Sequence, residues 1–228
     1  MLAELTNDFV EAVRLACAML GTRGRILPAT DRLVELAAEL KDGGFAIGET
    51  NIAASPCGIR RLYMMPPDAA ALPETLEAIA QADLITIGPG SLFTSLIPNL
   101  LVKGIPEAIA ASNALKVYVC NLMTQPNESL GMSAADHIRA IYEYAGTPFF
   151  DCALVNRAPF PRALLQKYAN SAAKPVECDP VALKSLGVQV IEGNYVAPGE
   201  VARHAADAVA QDMLPLALEK VNGHAVAP

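Results

Sequence analysis

The chain has no cysteine pair at C-x-x-C spacing, and its five cysteines (Cys17, Cys57, Cys120, Cys152, Cys178) and three histidines (His137, His204, His224) are scattered. A zinc site therefore has no support, so no metal ligand is assigned. An odd, dispersed set of thiols reads as reduced and mostly buried, which points to a cytosolic setting. No apolar run reaches the ~20 residues of a membrane span, and the N-terminus lacks the basic-then-apolar order of a secretory signal. Positive charge is scarce: 17 Lys and Arg face 24 Asp and Glu, a formal net charge of −7. That balance excludes the broad basic face of most nucleic-acid-binding proteins. Three sequence signatures are also missing: the G-x-S-x-G elbow of serine hydrolases, the P-loop pattern, and the G-x-G-x-x-G dinucleotide fingerprint. What remains is a folded cytoplasmic chain, 53% hydrophobic and 18% charged, with 228 residues available for a substantial core.

The patterning supplies the fold class. Apolar spacing predicts a helix from Thr6 to Leu20, with Thr6 or Asn7 as its N-cap. Val34–Leu40 and Phe45–Ile52 flank Asp42-Gly43-Gly44, a hairpin turn signal, and Ile59–Met64 reads as another strand ended by Pro66-Pro67. Thereafter strand alternates with helix. Strands are expected at Leu84–Ile87, Val117–Cys120, Phe150–Val155, Pro175–Cys178 and Val188–Ile191. Helices are expected after Pro73, at Leu92–Ile97, from Pro106, behind a Ser133/Asp136 capping box, at Pro161–Tyr168, and from about Glu200 with Pro215 ending or kinking the last one. The expected architecture is a single α/β domain over residues 1–228. It is a Rossmann-like, doubly wound, mainly parallel sheet with a β-hairpin insertion at residues 31–66.

Ligands of such sheets bind beyond the carboxyl ends of the strands. Three consecutive strands here run into polar or glycine residues: Ile87 into Gly88-Pro89-Gly90-Ser91, Cys120 into Asn121, and Val155 into Asn156. Thr94 and Ser95 fall on the first turns of the following helix, whose positive end and free N–H groups suit an anion, phosphate above all. Thr124 and Gln125 follow Asn121, and an Asn side chain both donates and accepts, which suits a base, a ribose or a sugar. Late in the chain Arg203 and His204 stand together, and a guanidinium can grip a diphosphate bidentately. The candidate nucleotide-binding set is thus Gly88, Gly90, Ser91, Thr94, Ser95, Asn121, Thr124, Gln125, Asn156, Arg203 and His204, and no catalytic residue is assigned. Glu49 and Asn51 face either the crevice or solvent, and His137 reads as a cap-region residue without catalytic duty.

Several longer stretches carry a family resemblance. They are R-G-R-I-L-P-A-T at Arg23–Thr30, G-E-T-N-I at Gly48–Ile52, the run from Asp83 to Leu101, K-V-Y-V-C-N-L-M-T-Q-P at Lys116–Pro126, and S-A-A-D-H-I-R-A at Ser133–Ala140. Together they resemble the YvcK-type gluconeogenesis factor family, related to the CofD-type 2-phospholactate transferases. The resemblance implies a bacterial cytoplasmic Rossmann-like protein that binds UDP-sugars, notably UDP-N-acetylglucosamine, and is linked to cell shape and gluconeogenic growth. It implies no required cofactor, and places the Gly88–Ser91 loop and the Asn121–Gln125 segment in the nucleotide crevice. The family's late R-H-D motif matches Arg203 and His204, with Ala205 in place of its Asp. The transferase branch, an enzyme using Mg²⁺ and a deazaflavin acceptor, is the alternative; its Ser-Pro-x-x-Gly-Gly element is not found here. The family pattern opens with G-G-G-T-G and Asp-Asp-Gly-Gly-Ser-Ser-Gly segments, roughly a hundred residues ahead of where this chain begins. The chain is therefore expected to correspond to the C-terminal two-thirds of a family-type domain, with a second copy or a partner chain covering an exposed sheet edge.

Overall fold

The computed structural model describes residues 2–224. Helices α1 (Leu2–Thr6) and α2 (Phe9–Met19) open the chain. Asp8 caps α2, its carboxylate accepting the N–H groups of Val10 at 2.9 Å and Glu11 at 3.1 Å. The expected caps lose because the Thr6 hydroxyl is turned to the carbonyls of Leu2 and Asp8, while Asn7 takes a positive φ of 51°.

A small antiparallel sheet follows, built from β1 (Glu35–Leu40), β2 (Phe45–Ile47) and β3 (Ile59–Met65) in the order β2-β1-β3. The Asp42-Gly43-Gly44 turn joins the first two strands in the expected hairpin, with Ala38 opposite Ala46. The second strand ends sooner than its apolar pattern suggests. Gly48 turns the chain at φ +86°, and Glu49–Ala54 coils into helix α3. The Asn51 amide then bonds the Ile47 carbonyl at 2.7 Å.

The larger sheet is parallel, β4 (Leu84–Ile87), β5 (Leu115–Val119), β6 (Cys152–Asn156) and β7 (Gln189–Gly193) lying side by side in chain order. Before β4 comes α4 (Pro73–Ala80). Between β4 and β5 lie a five-residue π-helical turn (Leu92–Leu96), α5 (Ile97–Leu100) and α6 (Ile105–Ala111). The later connections carry α7 (Ala134–Ala145), α8 (Arg162–Ala169) and α9 (Pro180–Ser185), and α10 (Ala206–His224) closes the described chain. Side chains alternate across the sheet as strand geometry requires. Tyr118, Cys120, Ala153 and Val155 enter a core shared with the π turn, α5–α7, α9 and the small sheet. Leu115, Val117, Val119, Cys152 and Leu154 enter a second core with Tyr195 and Ala217 of α10. The four-stranded parallel sheet flanked by helices is the Rossmann-like arrangement the patterning implied. No helix among the described residues is long and apolar enough to cross a membrane.

Two expected boundaries move. Pro175–Cys178 makes a single bridge, Pro175 to Met123, rather than a strand, since proline has no N–H to extend a ladder. The last helix starts at Ala206, because the preceding residues close a bridge between Val196 and His204; Pro215 sits inside it without ending it.

The capping box at α7 forms as expected, Ser133 and Asp136 exchanging bonds at 3.0 and 3.2 Å. Beside it, His137 is fully buried, its Nδ1 2.8 Å from the Tyr118 hydroxyl. Burial pushes its pKa down to about 4, against a smaller opposing effect of Asp136. The unfolded chain thus binds a proton that the folded chain refuses over the interval from about pH 6.5 to about pH 4. Stability should be full above that interval and fall as pH drops through it, by at most about 1.4 kcal/mol per pH unit. Urea unfolding at about pH 7 and about pH 4.5 should show the wild type losing about 2 kcal/mol more than His137→Gln. Equal losses would assign the acid sensitivity elsewhere.

Candidate functional site

The carboxyl ends of β4 and β5 open into a cleft of about 550 Å³. One wall is the loop Pro89–Ser91 with the segment Asn121–Pro126; the other is Tyr168 and Ser171 of α8 and its following turn, with Ala202–His204. Gly88 makes the first wall possible. It has φ +86°, and a Cβ there would lie 2.5 Å from the Val119 carbonyl oxygen, so the loop meets β5 backbone to backbone.

Asn121 clasps the loop. Gly90 N–H donates to its Oδ1 at 3.1 Å, and its Nδ2 donates to the Gly90 carbonyl at 2.7 Å. Gln125 reaches the same loop, its Nε2 donating to Ser91 Oγ at 2.9 Å, while its Oε1 is buried without a partner among the described residues. Thr124 ties the two walls together: its N–H donates to the Lys174 carbonyl at 2.7 Å and its hydroxyl accepts the Lys174 N–H at 3.0 Å.

On the second wall, His204 Nε2 lies 3.0 Å from the Cys120 carbonyl oxygen. A carbonyl only accepts, so Nε2 carries the proton, which leaves Nδ1 as an acceptor in the neutral ring. Burial lowers the pKa of His204, opposed by that backbone bond, so the imidazole is neutral near pH 7. Arg203 is exposed, and its guanidinium makes no hydrogen bond or ion pair with the described residues.

The structure therefore brings together Gly90, Ser91, Asn121, Thr124, Gln125, Arg203 and His204. The other four candidates stand apart from the cleft wall. Gly88 supports the loop from behind. The Thr94 hydroxyl donates to Glu128 at 2.9 Å, and the other Glu128 oxygen takes the Phe93 N–H at 3.1 Å. The helical turn expected to present its N-terminus to an anion already holds a carboxylate there, and Ser95 lies farther along the same turn. Asn156 accepts the N–H groups of Ala158 and Tyr195 and so fastens the end of β6 to the chain beyond β7. Asn51 of α3 is engaged with Ile47. Sequence reasoning missed Glu128 and Tyr168. The first sits in a polar loop with no local signature, and the second reads as an ordinary apolar position of α8.

Comparison with known proteins matches the chain to the family described as 2-phospho-L-lactate transferase CofD over residues 1–196. The chain belongs to this family. Within the CofD family its relatives are gluconeogenesis factors. The gluconeogenesis factor of Bacillus subtilis (strain 168) is 41% identical over 219 residues, covering 96% of this chain and 69% of the relative. That of Halalkalibacterium halodurans is 42% identical over 214 residues, covering 93% and 66%. A crystal structure of a member of the UPF0052 family from Bacillus halodurans superposes with a TM-score of 0.89 at 42% identity, covering 93% of this chain and 69% of that one. The chain thus spans about two-thirds of the length of these family members.

Proposed function

We propose that the cleft between the Gly90–Ser91 loop and Arg203–His204 binds a nucleotide sugar of the UDP-N-acetylglucosamine class. On this reading the chain acts in the cytoplasm as a regulatory binding protein tied to cell shape and gluconeogenic growth. The observation that carries the proposal is Arg203. A chain with 24 acidic residues against 17 basic ones leaves a guanidinium on a cleft wall unpaired, and such a group is suited to a diphosphate. The polar wall opposite, with Ser91 Oγ and the neutral His204 Nδ1 acceptor, suits ribose and sugar hydroxyls. The names of the gluconeogenesis factor relatives support the regulatory role.

The family's transferase name motivates a second reading, group transfer to a deazaflavin acceptor with Mg²⁺ on the phosphates. Such a cation needs carboxylate oxygens, and among the described residues no Asp or Glu lines the cleft and no cluster of three or more His, Cys, Asp or Glu side chains forms. The donor set present does not fit Mg²⁺, which favours binding without transfer. We extend the proposal to the free edge of β4, which pairs only with β5 among the described strands. A second copy or a partner chain covers that edge.

Calorimetric titration with UDP-N-acetylglucosamine tests the ligand. The wild type should bind, and Arg203→Ala should weaken binding by about 30-fold, the worth of about 2 kcal/mol in charge-assisted bonds. Equal affinity of the two proteins would remove the diphosphate from this site, and an absence of heat for UDP-sugars would overturn the reading.

A further inference from the structure

Strand alternation turns Leu36, Ala38, Leu40, Ala46, Leu62 and Met64 of the small sheet into the core. The opposite face of that sheet is open: Phe45 is 65% and Ile47 48% exposed, with Tyr63 and Met65 exposed beside them. The register lays this face out in rows. Met65 stands beside Glu35, Tyr63 beside Ala37 beside Ile47, and Arg61 beside Glu39 beside Phe45. Ala37 is only 3% exposed although it belongs to neither core, so its outward neighbours already cover it. Strands in a sheet lie about 4.8 Å apart, which sets β2 and β3 about 10 Å from each other across β1. The Phe45 and Tyr63 rings nonetheless stand 6.2 Å apart and 16° from parallel. They lean together over β1 into one continuous apolar surface, the mark of a contact face.

Charge decides what covers it. Glu39 is answered by Arg60 at 3.0 Å, but Glu35 at one end of the face and Arg61 at the other form no ion pair with the described residues. Arg61 only stands over the Tyr63 ring, 5.8 Å from its centroid. An anionic lipid surface or a nucleic acid calls for a basic surround. An apolar centre between one anion and one cation instead complements itself. We propose that this face is the contact surface between two copies of the chain. A two-fold axis laid across the strands, along the Tyr63–Ala37–Ile47 row, stacks β3 on β3 and β1 on β1 and exchanges the end rows. Arg61 of one copy then stands above Met65 of the second copy, one strand away from its Glu35, an offset an arginine side chain spans. The ion pair forms twice, as an isologous interface requires. The face belongs to the small sheet, so this contact is separate from the free edge of β4 and does not depend on what the cleft binds.

Sedimentation velocity over micromolar to hundreds of micromolar chain tests the contact. The wild type should pass from the mass of one chain to that of two. Phe45→Asp should raise the dissociation constant by about thirtyfold or more, the loss expected at an aromatic anchor. Arg61→Glu and Glu35→Arg, each alone, set like charges against each other at both ends of the axis and should weaken the dimer by about tenfold. Mixing these two variants places unlike charges at both ends again, so the mixture should dimerise about as tightly as wild type. A variant that simply misfolds is not rescued by mixing, and failure of the rescue overturns the proposal. So does a wild type that stays monomeric throughout. A dimer indifferent to Phe45→Asp and to both charge reversals uses another surface, such as the edge of β4, and overturns it as well.

Discussion

Gly88→Ala is expected to cost about 4 kcal/mol, a large share of the roughly 5–15 kcal/mol that holds a typical domain folded. Two costs combine at that position. The φ of +86° is a conformation L side chains rarely adopt, a penalty of about 1–2 kcal/mol. The added Cβ would also lie 2.5 Å from the Val119 carbonyl oxygen. That neighbour is backbone, held in the centre of the parallel sheet, so relief requires β4 to move off β5 and breaks the seat of the Gly90–Asn121 clasp. Gly131 provides the control, with φ +75° and nothing within 4 Å of the position an added methyl would take, so Gly131→Ala should cost only about 1 kcal/mol. Urea unfolding of the two variants separates the contributions. If they lose the same stability, close approach of the two strand ends contributes nothing, and the account of the first cleft wall fails with it.

Legible in the sequence is what short segments decide for themselves. The Ser133/Asp136 box is three residues long and closes on itself. Asp42-Gly43-Gly44 turns a hairpin by local backbone chemistry, and β5, buried at all five positions with Lys116 among them, announces itself through the apolar run Val117–Cys120 as parallel strands do. The errors fall where distant partners decide. β2 stops at Ile47 although Ile52 continues its apolar pattern, because Gly48 redirects the chain and Ile52 is wanted in the core under α3. Val176 looks like strand, yet it is held by a single bond to the Leu122 carbonyl beside a proline.

The site is legible in the same partial way. Polar strand ends identify Asn121 and Asn156 equally, and nothing local separates them. Asn121 bonds a loop 31 residues earlier and so lines the cleft, whereas Asn156 bonds Tyr195, 39 residues later, and points its amide into a structural knot. An open helix terminus at Thr94 and Ser95 would suit an anionic ligand, but a carboxylate 35 residues beyond Phe93 occupies this one. Arg203 and His204 stand out by resemblance and by chemistry. Their opposite states, one cation left unpaired and one imidazole held neutral, follow only from the tertiary neighbours of each.

That carboxylate should prove as consequential as the glycine. Glu128 is 8% exposed and bonds the buried Phe93 N–H and the Thr94 hydroxyl. Glu128→Ala strips both partners at once, leaving an unsatisfied buried N–H, worth about 1–3 kcal/mol, and a void where the side chain stood. We expect a loss of about 3 kcal/mol in urea unfolding. Glu128→Gln distinguishes shape from charge. Its Oε1 can still accept from Phe93, and the Thr94 hydroxyl can reverse to accept from Nε2, so only the charge-assisted part of the bonding is lost, about 1 kcal/mol. Because Phe93 follows the Ser91 wall by two residues, hydrogen exchange at Phe93 should accelerate sharply in the Ala variant and little in the Gln variant. A Gln variant as damaged as the Ala variant would mean that the negative charge itself, set against the first turn of the π helix, holds this wall of the cleft in place.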